Sequence, residues 1–361
     1  MAEDLGKRLL AEVEEAGLDE IFQSLRLQDE SAPSHFGIHV LDRLIQAITG
    51  ARPPTAKLKP APPPIVELTS LASGGGKTHL IYCLAALAIL PVYLNGKQAC
   101  VVILDTDGSF SVPRLAEQLL NTIKQQQRTE LSESDGTDTI ASALKHVHIF
   151  RPQSLDSTVA TLDSLPSYLF DRSKHHSIDR AVGFVVLASA SAFYWQHRAD
   201  EDDASLLQNT DPAQAAPSKP TGYASLTIAL KAASAAFSCP IILTSWHLGP
   251  APASFHSNSA EARSLRPSLP APLSQLPMLR LIVQRVPVRK FPAGVSVEEA
   301  RREAAHRQTA VEEGKFEAIV NEWGVDERTL QKVQSVGAGF GFKITKDGLV
   351  FDDREAKSGH G

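Results

Sequence analysis

Five residues in the stretch SLASGGGKTHL, Gly74, Gly75, Gly76, Lys77 and Thr78, have the types and order that hold a chain of phosphates. Backbone N–H groups of the glycines can wrap phosphate oxygens, Lys77 can reach the terminal ones, and the Thr78 hydroxyl can ligate a Mg2+ ion carried by the nucleotide. A short apolar run (IVEL) precedes the glycines and a long one follows, which is the strand–loop–helix setting that such a loop needs. The full pattern has a glycine at position 71, where Leu71 stands. Ser70 fits that place only if the loop holds one extra residue, so an irregular entry turn is expected. The competing account is a glycine-rich connection with no ligand.

A second group follows in VVILDTDGSF. An apolar strand ending in Asp105, Thr106 and Asp107 would set a carboxylate at the carboxyl edge of a parallel sheet, where it could orient a water or help hold a metal. The same residues also make an ordinary capped turn. In AVGFVVLASASAFYWQHR the chemistry expected of a phosphate-transferring enzyme is missing: Ala188 follows the apolar run at the place where an aspartate would hold Mg2+ through water. Asp200 to Asp203 lie further on and read as a solvated acidic run. Phe193, Tyr194 and Trp195 read as core or interface aromatics, with base stacking as the alternative.

These groups need a scaffold, and the pattern supplies one. ACVVILD, HVHIF, AVGFVVLASA and CPIILTSW read as buried strands, alternating with helical stretches such as SVPRLAEQLLNTIK, LDSTVATLDSLPSYLF and GYASLTIALKAASAAFS. Continuous apolar strands alternating with helices predict an α/β fold, a mainly parallel sheet flanked by helices. The run LIYCLAALAILPVYL (80–94) reads as a buried core helix, too short to span a bilayer. Toward the end LRLIVQRVPV and FEAIVNEW read as strands and GFKITKDGLVFDD as a hairpin turning at Lys346-Asp347-Gly348, so the sheet should finish in an antiparallel C-terminal edge. The expected organisation is a small helical N-terminal segment (1–50), a Pro-rich linker (51–64), a nucleotide-binding domain (65–353) and a disordered tail (354–361). Mobile insertions are expected near 125–138, 200–220 and 247–277, where the sequence turns polar or Pro/Ser-rich.

The chain of 361 residues is 43% hydrophobic and 21% charged, a globular composition, and its net charge of −5 excludes a globally basic nucleic-acid binder. Local basic stretches stay open. Between His247 and Phe291 the only acidic residue is Glu261, against Arg263, Arg266, Arg280, Arg285, Arg289 and Lys290. This is either a DNA-facing loop or a solvated one whose arginines keep it soluble. Cys83, Cys100 and Cys239 form no CxxC pair, which argues against a zinc site or disulfide framework and fits a reducing compartment. His146, His148, His175 and His176 lack metal-ligand spacing and read as structural or surface residues.

In combination, GGGKTHL, ILDTDGSF followed by Pro113-Arg114-Leu115, SAFYW, and GIHVLDRLI ahead of the loop resemble the RecA-type recombinase superfamily, within it the eukaryotic paralogue branch of homologous recombination. The resemblance covers roughly residues 36–122, 147–195, 222–246 and 340–352. It implies a RecA-like P-loop NTPase core, with ATP phosphates on Gly74, Gly75, Gly76, Lys77 and Thr78 and Mg2+ held through the nucleotide. Asp107 falls at the family's catalytic glutamate, Ala188 at its metal-holding aspartate, and Trp246 where active members place a polar sensor. The resemblance thus implies nucleotide binding with weak or absent hydrolysis, action beside other recombinase paralogues in a hetero-oligomer, single-stranded or junction DNA as a further partner, and a nuclear setting.

Overall fold

Apolar, often β-branched residues fill six runs that form parallel strands: β1 (Ile65–Ser70), β2 (Cys100–Asp105), β3 (Val147–Phe150), β4 (Val182–Ala188), β5 (Ile241–Trp246) and β6 (Leu279–Arg285). Three further strands, β7 (Lys315–Val320), β8 (Gly339–Thr345) and β9 (Gly348–Phe351), continue the sheet antiparallel, in the order β3-β2-β4-β5-β1-β6-β7-β8-β9. The computed structural model describes residues 34–50, 62–126, 133–208, 220–249, 263–286, 294–312, 314–346 and 348–351. The expected helices before residue 34, most of the Pro-rich linker, the centres of the three insertions, Arg289, Lys290 and the C-terminal tail lie outside the described residues.

Among the described residues the helices are α1 (His39–Thr49), α2 (Lys77–Ile89), α3 (Val112–Gln126), α4 (Glu133–Leu144), α5 (Leu155–Leu169), α6 (Tyr194–Gln208), α7 (Gly222–Phe237), α8 (Val297–Glu312) and α9 (Glu327–Ser335). Two-residue alternation along the strands decides which helices cover which face. Val101, Ile103 and Val186 point to a core shared with α1, α2 and α3, whereas Val102, Leu104 and Val185 point to one shared with α5 and α7. Both faces are therefore dry, which explains why the strands read as unbroken apolar runs.

Helix α2 is buried on nearly every side, so its apolar sequence shows no amphipathic stripe. It stops at Ile89 because Leu90 precedes Pro91 and turns extended. The expected apolar helix over 80–94 is thus cut short, and Val92 and Tyr93 stand exposed on a following 3-10 turn. Ahead of the sheet, Asp42 in the first turn of α1 accepts N–H bonds from His35, Phe36 and Gly37 at 2.9–3.0 Å. This bracket folds the HFG turn back onto the helix, and Phe36, Leu41, Leu44 and Ile45 enter the main core. Residues 35–50 therefore fall in the same compact unit as the sheet (His35–Gly361) rather than in a separate segment ending at residue 50.

Three expected loops carry more structure than their polarity suggests. Asp200 to Asp203 lie on α6, where Asp202 pairs with Arg198 one turn back, and α4 begins inside the 125–138 stretch. In the 247–277 stretch, Asn321 bonds Leu265 in both directions at 2.8 and 3.0 Å, and Leu265, Leu269 and Leu273 are buried. Helix α9, unanticipated from sequence, is capped by Asp326, whose carboxylate accepts from the Thr329 N–H at 3.0 Å.

Candidate nucleotide site

The six parallel strands end on one edge of the sheet, and the glycine loop leaves β1 at that edge. Gly76 precedes α2 with φ 96° and provides no side-chain cap, so the first-turn N–H groups of α2 remain available to an anion. The loop is held close. A Cβ built on Gly75 would meet the Val283 carbonyl oxygen at 2.6 Å and Ser70 Cβ at 3.0 Å; one on Gly76 would come within 3.3 Å of Phe316, Phe342 and Ile344. Only glycine backbone fits between β1, β6 and the antiparallel strands. A cavity of about 460 Å³ opens over this loop, lined by residues 73–78 and by Asp107, Arg114, Ala188 and Trp246. That volume lies within the range of sites that take small ligands.

Lys77, only 9% exposed, reaches back over the ends of β1 and β5. Its Nζ donates to Ser70 Oγ and lies 4.1 Å from the centre of the Trp246 ring. Ser70 and Trp246 are register partners, so the sheet itself brings these two contacts to one point. Burial pulls the Lys77 ammonium down to about 8, with Asp107 opposing the shift. Thr78 lines the same cavity.

The two aspartates after β2 part company. Asp107 lines the cavity and accepts from the Ser109 N–H at 3.1 Å, with Gly108 at φ 68° completing the turn. Asp105 is not among the residues lining the cavity: it is 1% exposed, accepts from the Phe110 N–H at 3.2 Å, and faces Arg151 at 3.3 Å. Its register partner is Ala188, so no second carboxylate stands beside it. Among the described residues no group of three His, Cys, Asp or Glu could hold a metal. A Mg2+ ion would depend on the phosphates and Thr78. The residues present fit phosphates: a backbone cradle with no room for a Cβ at Gly75 or Gly76, a helix N-terminus and a buried lysine converge there.

The basic residues scatter. Arg266 is exposed, Arg263 lies 3.8 Å from Glu322, and Arg285 at the end of β6 donates to the Val311 carbonyl at 2.5 Å. Arg280 is not on a loop. It sits on β6 with Nε 3.0 Å from Glu67, whose other oxygen accepts from Ser245 at 2.6 Å, and it also donates to the Ser274 carbonyl. Trp195 is 66% exposed and Tyr194 packs edge-on against it at 5.0 Å. The sequence offered Ser70 only as a loop-entry residue and not as the acceptor for Lys77, and it carried no signal for Phe316 and Ile344, which come from distant strands to line the cavity.

The parallel sheet with helices on both faces, the antiparallel C-terminal edge and the loop after β1 define an α/β protein consistent with a RecA-like core. No family model matches the chain. It is similar to human DNA repair protein RAD51 homolog 2, with 26% identity over 180 residues, 50% of this chain and 40% of that protein. It is also similar to mouse DNA repair protein XRCC2, with 28% identity over 137 residues, 38% of this chain and 44% of that protein. The matched stretch spans less than half of either relative's length.

Proposed function

We propose that this chain is a nucleotide-binding subunit of the recombinase-paralogue type that assists homologous recombination and double-strand-break repair in the nucleus. Two DNA repair relatives support the setting, and within the paralogue branch the GKT, DTD and SAFYW motifs favour the X-ray-repair cross-complementing protein two type. The observation that carries the nucleotide is the loop over β1, where glycines 74–76, Lys77 and Thr78 meet in one cavity. ATP with Mg2+ is the ligand: loop N–H groups and Lys77 hold the phosphates, and Thr78 faces the ion.

Hydrolysis is weak or absent in this reading. Bound Mg2+ would supply charge neutralisation at the terminal phosphates, but Ala188 provides no carboxylate to hold its waters, and Asp105 is turned away toward Arg151. Asp107 alone lines the cavity, one methylene shorter than the family's glutamate. Its presence there is what favours the second reading, a DNA-stimulated ATPase with Asp107 orienting the water. A third, a pseudo-ATPase scaffold, binds no nucleotide. Titration with ATP separates the third, and turnover with and without single-stranded DNA separates the first two: robust hydrolysis abolished by Asp107→Asn overturns the first reading.

Other recombinase paralogues are the partners in this reading, together with single-stranded or junction DNA. No described helix is long and apolar enough to cross a membrane. With Arg280 committed to Glu67, the DNA contact rests on Arg263, Arg266, Arg285, Arg289 and Lys290. Each phosphate neutralised on a single strand contributes about −0.7 to the slope of log K against log salt, so Arg263, Arg266 and Arg289 together account for about −2. Replacing those three by alanine should flatten the slope by that amount; an unchanged slope removes this segment as the DNA contact.

A further inference from the structure

The Lys77 ammonium has three N–H donors. Ser70 Oγ accepts one, and the Trp246 ring, 4.1 Å away, faces another, so one remains for a ligand. The backbone of both holders is fixed. Ser70 and Trp246 pair in the β1/β5 ladder, the Ser70 carbonyl accepts from the His247 N–H at 3.0 Å, and the Trp246 N–H donates to Ser191 Oγ at 3.0 Å. A diphosphate can be met by a single ammonium donor, whereas the lysine of a phosphate loop ordinarily serves the last two phosphates of a triphosphate together. To free a second donor here it must give up the indole or Ser70 Oγ. The indole face also offers a phosphate oxygen no replacement for lost water.

We propose that Trp246 sets the terminal-phosphate specificity of this site: by holding Lys77, it makes the site take a nucleoside diphosphate as readily as the triphosphate. The inference rests on the reading that this cavity binds nucleotide. It makes the protein indifferent to whether its nucleotide carries the last phosphate, a behaviour suited to a subunit whose ligand is structural rather than a fuel.

Displacement of a fluorescent ADP analogue by unlabelled ADP or ATP, with Mg2+ and the full chain, tests it. In the wild type the two affinities should agree within about threefold, and Trp246→Phe, which keeps a π face, should behave alike. Trp246→Asn frees the ammonium and should favour ATP by about tenfold, the worth of one charge-assisted hydrogen bond. Trp246→Leu, apolar but without a π face, carries the same expectation and covers the case in which the asparagine variant does not fold. A wild type that prefers ATP by about tenfold, or a ratio unmoved in the Asn and Leu variants, overturns the proposal while leaving nucleotide binding intact. Failure of the wild type to bind either nucleotide overturns the nucleotide reading and this inference with it.

Discussion

Asp105 at the end of β2 and Arg151 just beyond β3 meet across the carboxyl edge of the sheet, Nε to Oδ2 3.3 Å, with the carboxylate fully buried and the guanidinium side chain 62% exposed. The pair itself adds little because one member is solvated. The stronger link is the Phe110 N–H on Oδ1, which fixes the turn carrying Asp107. Asp105→Ala leaves that donor unmet and should cost about 1–3 kcal/mol, read as a lower urea midpoint, while nucleotide affinity stays as in the wild type. A loss of affinity without a loss of stability would return Asp105 to the site.

Gly75→Ala should abolish nucleotide binding and destabilise the fold. Its Cβ would sit 2.6 Å from the Val283 carbonyl, a backbone atom of β6 that cannot swing aside. Forcing the loop outward costs about 1–3 kcal/mol. Gly74→Ala, with nothing within 4 Å of its Cβ but φ at 73°, should do less. Equal melting temperatures for Gly75→Ala and the wild type would contradict this packing.

Lys77 binds its proton less tightly folded than unfolded, about 8 against the ordinary 10.5. Below pH 8 both states are charged and the burial penalty is fully present; between 8 and 10.5 the unfolded chain holds more proton, so stability rises with pH. Lys77→Met should therefore stabilise the protein at pH 7 by a few kcal/mol, a gain that fades toward pH 10.5. The same variant should lose nucleotide. Denaturant curves at pH 7 and 10 check the sign.

His148 has the same sign as Lys77 in a more acidic window. Burial, then His175 and His146, hold it neutral down to about 4, in a cluster where its Nε2 and the Nδ1 of His146 share Ser177 Oγ at 3.0 and 2.9 Å. Lys145, His176, Asp179 and Arg180 act on His146 from outside, and Tyr168 OH lies 3.1 Å from His148 Nδ1. The unfolded imidazole takes its proton near 6.5, so stability should fall as pH drops from 6.5 to 4. His148→Phe should flatten the profile. Urea midpoints at pH 7 and 5 measure it.

The sheet was legible because its strands are dry on both faces; nothing in IVEL or VVILD competes with a buried reading. Ala188 and the glycine loop were legible for the same reason, being fixed by strand ends. Helix α6 was not, since Asp200 to Asp203 look like loop residues until their i,i+4 partners are seen. Arg280 reads as free charge because its partner, Glu67, is 213 residues away. The grip on Lys77 was hidden similarly: Ser70 and Trp246 are brought together only by the β1/β5 register.

That register also orders events during synthesis. A ribosome has made the glycines and Lys77 by residue 77, but β5 and β6, the neighbours of β1, come only with residues 241–285, and Phe316, Phe342 and Ile344, which close over Gly76, come later still. The contacts that shape the site are among the longest in sequence, and such contacts form late. A message truncated between α2 and β5 would therefore yield a chain bearing every loop residue but neither neighbour of β1 to place them, unable to compete with the finished protein for nucleotide.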